Sequence, residues 1–147
     1  MFLGRYEHIV DSKGRIAIPA KFRAELGERM YVTRWLDKCL ALYSASAFEA
    51  LAAKVSALSI ADQNARLLRR IFFSDAAELE FDRQGRINLP SHLRDFAGIG
   101  AAEAEAVLVG ANDYIELWAK DRWAEVQNQV EDDPNAIAAQ LAQLGVI

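Results

Sequence analysis

The sequence predicts an α+β fold written twice in one chain. Asp11-Ser12-Lys13-Gly14-Arg15-Ile16-Ala17-Ile18-Pro19 returns 71 positions later as Asp82-Arg83-Gln84-Gly85-Arg86-Ile87-Asn88-Leu89-Pro90, with Asp, Gly, Arg, Ile and Pro at identical spacing. Apolar and polar residues alternate around both copies, which is the period of strands with one buried face. Helix start and stop signals fall at matching places after each copy. The match runs on through Phe22-Arg23 against Leu93-Arg94 and Gly27 against Gly98. After an inserted stretch of four residues it resumes with Leu40-Ala41-Leu42-Tyr43 facing Ile115-Glu116-Leu117-Trp118. Each copy is too short to bury a core of its own, so the two are expected to close on each other or on other chains.

The elements follow in chain order. Asp11-Ser12-Lys13-Gly14 and Asp82-Arg83-Gln84-Gly85 read as turns, because Asp bonds its own backbone two residues on and Gly supplies a positive φ. Ahead of the second turn, Ala77, Leu79 and Phe81 alternate with Glu78 and Glu80. Beyond the turns, Ile16 and Ile18 face a core while Arg15 and Ala17 face out, and Ile87 and Leu89 oppose Arg86 and Asn88. Each Arg is thus placed beside the tip of a hairpin expected between the strands that flank its turn. Pro19 and Pro90 end these strands and suit the first turn of a helix, and Gly27 and Gly98 stop it.

Two more strands follow in each copy, Tyr31-Val32-Thr33 with Leu40-Ala41-Leu42-Tyr43, and Val107-Leu108-Val109 with Tyr114-Ile115-Glu116-Leu117-Trp118. Ser46 and Glu49 have capping-box spacing for a helix whose Phe48, Leu51, Val55 and Leu58 share a face, and Trp123, Val126 and Val130 mirror it. Asp62 is the expected N-cap of a joint helix running to about Phe73, apolar at Leu67, Leu68, Ile71 and Phe72 and basic at Arg66, Arg69 and Arg70. Glu131-Asp132-Asp133-Pro134 breaks the chain before a short stripe of Ile137, Leu141 and Leu144. The expected layout is a first repeat over 5–51, a helical joint over 52–74, a second repeat over 77–126 and a C-terminal tail over 131–147.

Composition narrows the function. The chain of 147 residues is 52% hydrophobic and 26% charged, an ordinary globular balance. No run of eighteen apolar residues exists and the first residues lack a signal peptide's apolar stretch, so a cytosolic protein without membrane contact is expected. Cys39 is the only cysteine, which excludes an intrachain disulfide and a Cys-based zinc site. His8 and His92 occupy non-equivalent places with no ligand cluster around them, so neither a metal nor another cofactor is expected. Cys39 with a His lacks any local catalytic signature, and the single-Gly turns are not phosphate-cradling loops, so no catalytic residue and no small-molecule substrate are assigned. A net charge of −4 argues mildly against nucleic acid as a partner. The charge is unevenly spread, however, with Arg5, Lys13, Arg15, Lys21, Arg23, Arg29 and Arg34 crowding the first quarter of the chain.

The doubled Asp-x-x-Gly-Arg-Ile-x-[Ile/Leu]-Pro, the opening Phe2-Leu3-Gly4-Arg5-Tyr6, the joint ending Phe72-Phe73-Ser74 and the stretch Glu116-Leu117-Trp118 together resemble the MraZ family of bacterial transcriptional regulators, over nearly the whole chain. The resemblance implies a tandem, pseudo-twofold AbrB-like (SpoVT-AbrB) swapped-hairpin β-barrel built from two βαβ-type repeats with flanking helices. It also implies assembly into a homo-oligomeric ring. Such rings bind short repeated boxes in double-stranded promoter DNA upstream of the division and cell-wall gene cluster holding the regulator's own gene, which places the protein at the nucleoid, as a repressor more than an activator. Arg15 and Arg86 are then the arginines expected to reach bases, with Lys13, Lys21 and Arg23 on phosphates. Asp11, Gly14, Asp82 and Gly85 are expected as turn-formers. Gln84 departs from the basic position that Lys13 fills. Two other readings stand beside this one: each Asp and Arg could merely bridge their own turn, and the same fold could grip a protein as an antitoxin-like module through the tail at 131–147.

Overall fold

The computed structural model describes residues 1–147. The first copy comprises β1 (Arg5–Val10), β2 (Arg15–Ala17), α1 (Ala20–Leu26), β3 (Arg29–Arg34) and β4 (Leu40–Ser44), with a single 3-10 turn at Leu36–Lys38. Next come α2 (Ala45–Ser56) and α3 (Gln63–Asp75). The second copy repeats the order as β5 (Ala77–Glu80), β6 (Arg86–Asn88), α4 (Ser91–Ala97), β7 (Ala104–Gly110) and β8 (Ile115–Ala119), followed by α5 (Lys120–Asp132) and α6 (Pro134–Gln143).

The copies interleave. Six strands form one antiparallel sheet in the order β1-β7-β8-β4-β3-β5. Exchanging the copies reverses that order, so a pseudo-twofold axis passes between β8 and β4. The first strand of each copy pairs with the third long segment of the other, Arg5↔Val109 through Val10↔Ala104 on one side and Arg29↔Glu80 through Val32↔Ala77 on the other. The expected hairpins do not form as ladders: beyond the bonds from Asp11 N to Arg15 O and from Asp82 N to Arg86 O, the segment after each turn leaves this sheet. Instead β2 and β6 form a separate two-stranded antiparallel ribbon centred on Ile16↔Ile87, which buries the apolar side of both segments in the shared core. One continuous core includes Ile16, Ile18, Phe22, Ile87, Leu89 and Leu93, so residues of both copies are buried together.

Local signals explain the elements. Pro19 and Pro90 stand one position earlier than expected, as the residues preceding α1 and α4, with φ of −52° and −57° and extended ψ, which the ring's fixed φ suits. Asp62 caps α3, its carboxylate accepting from Asn64 N and Ala65 N, and the helix extends past Phe73 to Asp75, where Arg34 pairs with Asp75. The capping box expected at Ser46 and Glu49 does not form. β4 runs into α2 without a loop, so the last strand residue, Ser44, is the cap and its hydroxyl accepts from Ala47 N at 3.3 Å.

α2 and α5 differ in burial although their patterns match. Phe48 and Val55 of α2 are buried because α3 covers them, with the Phe72 ring stacked on Phe48 at 5.4 Å. α5 has no counterpart of α3; it is followed by α6, which has no buried residue of its own, and no residue of α5 is fully buried, with Val130 exposed. Leu58 lies beyond the end of α2 and is exposed, as are Leu67, Leu68 and Ile71 of α3. The acidic break falls at Asp133, which caps α6 through Ala136 N, and no residue of α6 is buried.

The N-terminal segment is sealed against the second copy. Phe2 and Asn112 exchange backbone hydrogen bonds of 2.9 and 3.0 Å, and a Cβ at Gly110 would sit 2.6 Å from the backbone of Phe2 and Leu3. Gly110→Ala is therefore expected to push this segment off and expose Phe2, at a cost of about 1–3 kcal/mol typical of overpacking. Thermal unfolding together with proteolysis near residue 3 checks this; an unchanged melting temperature would refute it.

Candidate nucleic-acid interface

The two turns are built from the same bonds. In the first, Gly14 N donates to Asp11 O at 2.9 Å, and Asp11 Oδ1 accepts from Lys13 N at 3.0 Å and Arg15 N at 2.9 Å. In the second, Gly85 N donates to Asp82 O at 3.0 Å, and Asp82 Oδ1 accepts from Gln84 N at 2.8 Å and Arg86 N at 2.9 Å. The glycines have φ of +84° and +74°, a conformation that side chains with a Cβ rarely adopt.

The second carboxylate oxygen orients the arginine. Asp11 Oδ2 accepts from Arg15 Nε at 2.7 Å, and Asp82 Oδ2 accepts from Arg86 Nε at 2.8 Å. These are the salt bridges across each turn that the sequence allowed as an alternative. They occupy only the inner edge of each guanidinium, so both terminal nitrogens keep their donors for another partner. The bridge and an outward role are compatible, and the first sets the direction of the second.

The ribbon brings the two arginines to one face. Arg15 stands opposite Asn88 and Arg86 opposite Ala17, while Ile16 and Ile87 between them are 1% exposed. Paired residues share a face, so Arg15, Ala17, Arg86 and Asn88 all project away from the core. Arg15 and Arg86 are then diagonal neighbours, about 7–8 Å apart in a regular antiparallel pair. Lys13 and Gln84 are exposed at the two tips.

Sequence reasoning assigned no role to two residues of this face. Arg83 is exposed one position before Gln84, so each tip carries one cation, displaced by a residue between the copies. Asn88 is exposed beside Arg15. Both were legible: the first from counting charges over the whole turn, the second because alternation already places Asn88 on the outward side beside Arg86.

Lys21 lies outside the ribbon, exposed, with Nζ 5.1 Å from the centre of the Tyr6 ring. Arg23, expected on phosphates, is half-buried. Its Nη1 donates to Ile18 O at 2.7 Å and its guanidinium turns inward against Gly85. Arg66 and Arg69 donate to the carbonyls of Ile60 and Ser56, tying down the loop between α2 and α3. Cys39 is buried, its Sγ 3.3 Å from Leu36 O, and burial pushes the thiol far above its ordinary pKa, the reverse of an activated nucleophile. No group of three His, Cys, Asp or Glu is placed to hold a metal ion, and no helix is long and apolar enough to cross a membrane.

Acid should loosen both turns together. The Arg15 backbone N–H, then the Arg15 side chain and the Lys13 N–H, hold the Asp11 carboxyl below the usual carboxylate range, and Asp82 is lowered likewise by Arg86 and Gln84. A depressed native pKa stabilises the fold above the unfolded carboxylate value, about 3.9, and that contribution is lost as pH falls through the native value. Amide exchange at Arg15 and Arg86 should accelerate below about pH 4 beyond its intrinsic pH dependence. Asp11→Asn should remove that step in the first turn alone; an identical acid profile at Arg15 in the variant would count against the carboxylate as its cause.

A family model described as "MraZ protein, putative antitoxin-like" matches the chain twice, over residues 1–71 and 72–144. The chain belongs to the MraZ family. Its MraZ relatives share almost its full length. The protein named Transcriptional regulator MraZ of Halothermothrix orenii is 46% identical over 146 residues, covering 99% of this chain and 100% of the relative. The protein of that name in Thermomicrobium roseum is 46% identical over 144 residues, 98% of this chain and 99% of the relative, and one from a Roseiflexus species is 45% identical with the same coverage. The double match to the MraZ model agrees with the repeat read from the nine-residue pattern, and the chain is a transcriptional regulator of that family.

Proposed function

We propose that this chain represses transcription by reading short repeated boxes in promoter DNA with the β2–β6 ribbon. The observation that carries the reading is the pair of clamped arginines on one face, each held by its own Asp with both terminal nitrogens free. A two-stranded ribbon fits the major groove, roughly 12 Å wide, and Arg donates two hydrogen bonds to guanine O6 and N7 there. Asn88 has the donor and acceptor that adenine presents a partner for. Lys13, Arg83 and Lys21 hold phosphates.

The wider setting belongs to the same proposal. The interleaved copies make up an AbrB-like swapped-hairpin barrel whose repeats lie at 5–51 and 77–126. Subunits assemble into a ring, so that several ribbons engage successive boxes and raise one another's effective concentration. An acidic monomer thereby binds an acidic polymer. The protein acts at the nucleoid, on the division and cell-wall gene cluster containing its own gene, without catalysis or cofactor.

Gel shifts on DNA from upstream of its own gene, against a scrambled duplex and over a salt series, test this. Preferential binding that falls steeply with salt is expected. The absence of a shift at low salt, with a toxin-like protein recovered instead by pull-down through α6, would replace it with the antitoxin-like reading, for which the largely exposed α6 is the favouring observation.

A further inference from the structure

We infer that Arg23 and Arg94 are positioning residues that act across the pseudo-twofold axis, each holding the turn of the opposite copy. Arg94 belongs to α4 of the second copy, but its guanidinium lies on the first turn: a Cβ at Gly14 would be 2.7 Å from its Nε and 2.8 Å from its Cζ. Arg23 of α1 lies on the second turn, its Cζ 2.7 Å from where a Gly85 Cβ would be. Gly14 and Gly85 are both buried beneath these groups.

Backbone bonds close each arrangement. Leu89 N donates to Gly14 O at 2.9 Å while Leu89 O accepts from Arg94 Nε at 3.0 Å. Ile18 N donates to Gly85 O at 3.1 Å while Ile18 O accepts from Arg23 Nη1 at 2.7 Å. One residue at the end of each ribbon strand therefore binds the opposite turn with its N–H and its own helix's arginine with its carbonyl. The planar guanidinium fills the space over the glycine. Neither arginine has a carboxylate partner, so ion pairing does not account for its placement. A flat donor group that packs on a peptide and bonds a carbonyl at its edge is what arginine offers and lysine does not.

The consequence is crossed. The Asp11 clamp aims Arg15 relative to its turn, and Arg94 holds that turn relative to the ribbon; Arg23 does the same for Arg86. For function this rests on the DNA-reading proposal, yet the structural part can be read without DNA. It also replaces the phosphate-holding role expected for Arg23.

The test uses the full chain with Arg23→Lys and Arg94→Lys, which keep the charge and lose the planar fork. Amide exchange in the free protein is read at Gly14 and Leu89, at Gly85 and Ile18, and at the core amides of Leu42 and Leu117 as internal controls. Arg94→Lys should speed exchange at Gly14 and Leu89 about tenfold or more relative to the core while Gly85 and Ile18 change little, and Arg23→Lys should do the reverse. Faster exchange in the variant's own turn, in both turns alike, in neither turn, or in the core amides to the same degree would overturn the proposal.

On promoter DNA, each lysine variant should lose about five- to tenfold in specific affinity with the salt slope on scrambled DNA unchanged, and Arg94→Lys should be non-additive with Arg15→Ala but additive with Arg86→Ala. Full specific affinity in both lysine variants would show that charge alone is used and overturn the functional part. If the wild type shows no specific binding but the crossed exchange pattern holds, the DNA reading fails and the brace stands.

Discussion

Arg15→Ala is expected to weaken binding to the chain's own promoter DNA by about 10- to 100-fold, matching the roughly 1–3 kcal/mol carried by a bidentate Arg–guanine pair. The geometry sets both the size and the selectivity of this loss. Asp11 holds Nε of Arg15 at 2.7 Å, so the guanidinium is oriented before binding and pays little to be ordered on contact. Truncation removes the base contact and also leaves the Asp11 carboxylate facing the DNA without its cation. The loss should therefore be concentrated on specific DNA, with a smaller effect on a scrambled duplex. Arg86→Ala should behave alike because its clamp is the same bond for bond. Arg66→Ala should leave affinity unchanged, since that guanidinium is committed to Ile60 O in the joint. Fluorescence anisotropy on both duplexes for the three variants checks the set. Equal losses for Arg15→Ala and Arg66→Ala would refute the ribbon as the reader.

Ile16→Ala is expected to destabilise the whole chain by roughly 2–5 kcal/mol, as truncation of a buried aliphatic side chain does. For a chain of this size that is a fall in melting temperature on the order of 10 °C. Ile16 is 1% exposed and faces Ile87 directly at the centre of the ribbon, within the core that both copies share. The cavity would thus open where the two copies meet, and Ile87→Ala should cost about the same. Because β1 pairs with β7 and β5 with β3, neither copy keeps a complete sheet without the other. Unfolding in denaturant should remain a single transition shifted to lower midpoint in both variants. A second transition, or a loss confined to one copy's probes, would show that the copies fold separately.

Much of the site was legible before the fold was known. Asp11, Gly14 and Arg15 identify themselves because a turn with a positive φ and an Asx acceptor is written in adjacent residues, and Asp82, Gly85 and Arg86 repeat it. Alternation placed Ile16, Ile87 and Leu89 inside and Arg15, Arg86 and Asn88 outside, as the burial pattern has them. Arg23 shows where such reading stops. A basic residue on a short helix beside the motif looks like a phosphate holder, yet its guanidinium rests on Gly85, which stands 62 residues away in the chain. The mirrored pattern of α5 likewise promised the burial found in α2, but burial depends on the covering element, and α3 occurs once.

Whatever depends on the φ of one residue or on the period of a few neighbours was determined by the sequence itself: the duplication, the two Asp-Gly-Arg turns, and which side of each strand is apolar. The tertiary structure alone decided the partners, β2 with β6 instead of the strand before it, β1 with β7, and Arg94 over Gly14. Strand edges and glycine faces accept any segment of suitable shape. The choice among those segments is made only when the apolar faces of both copies are buried in one core, and that burial is a property of the whole chain.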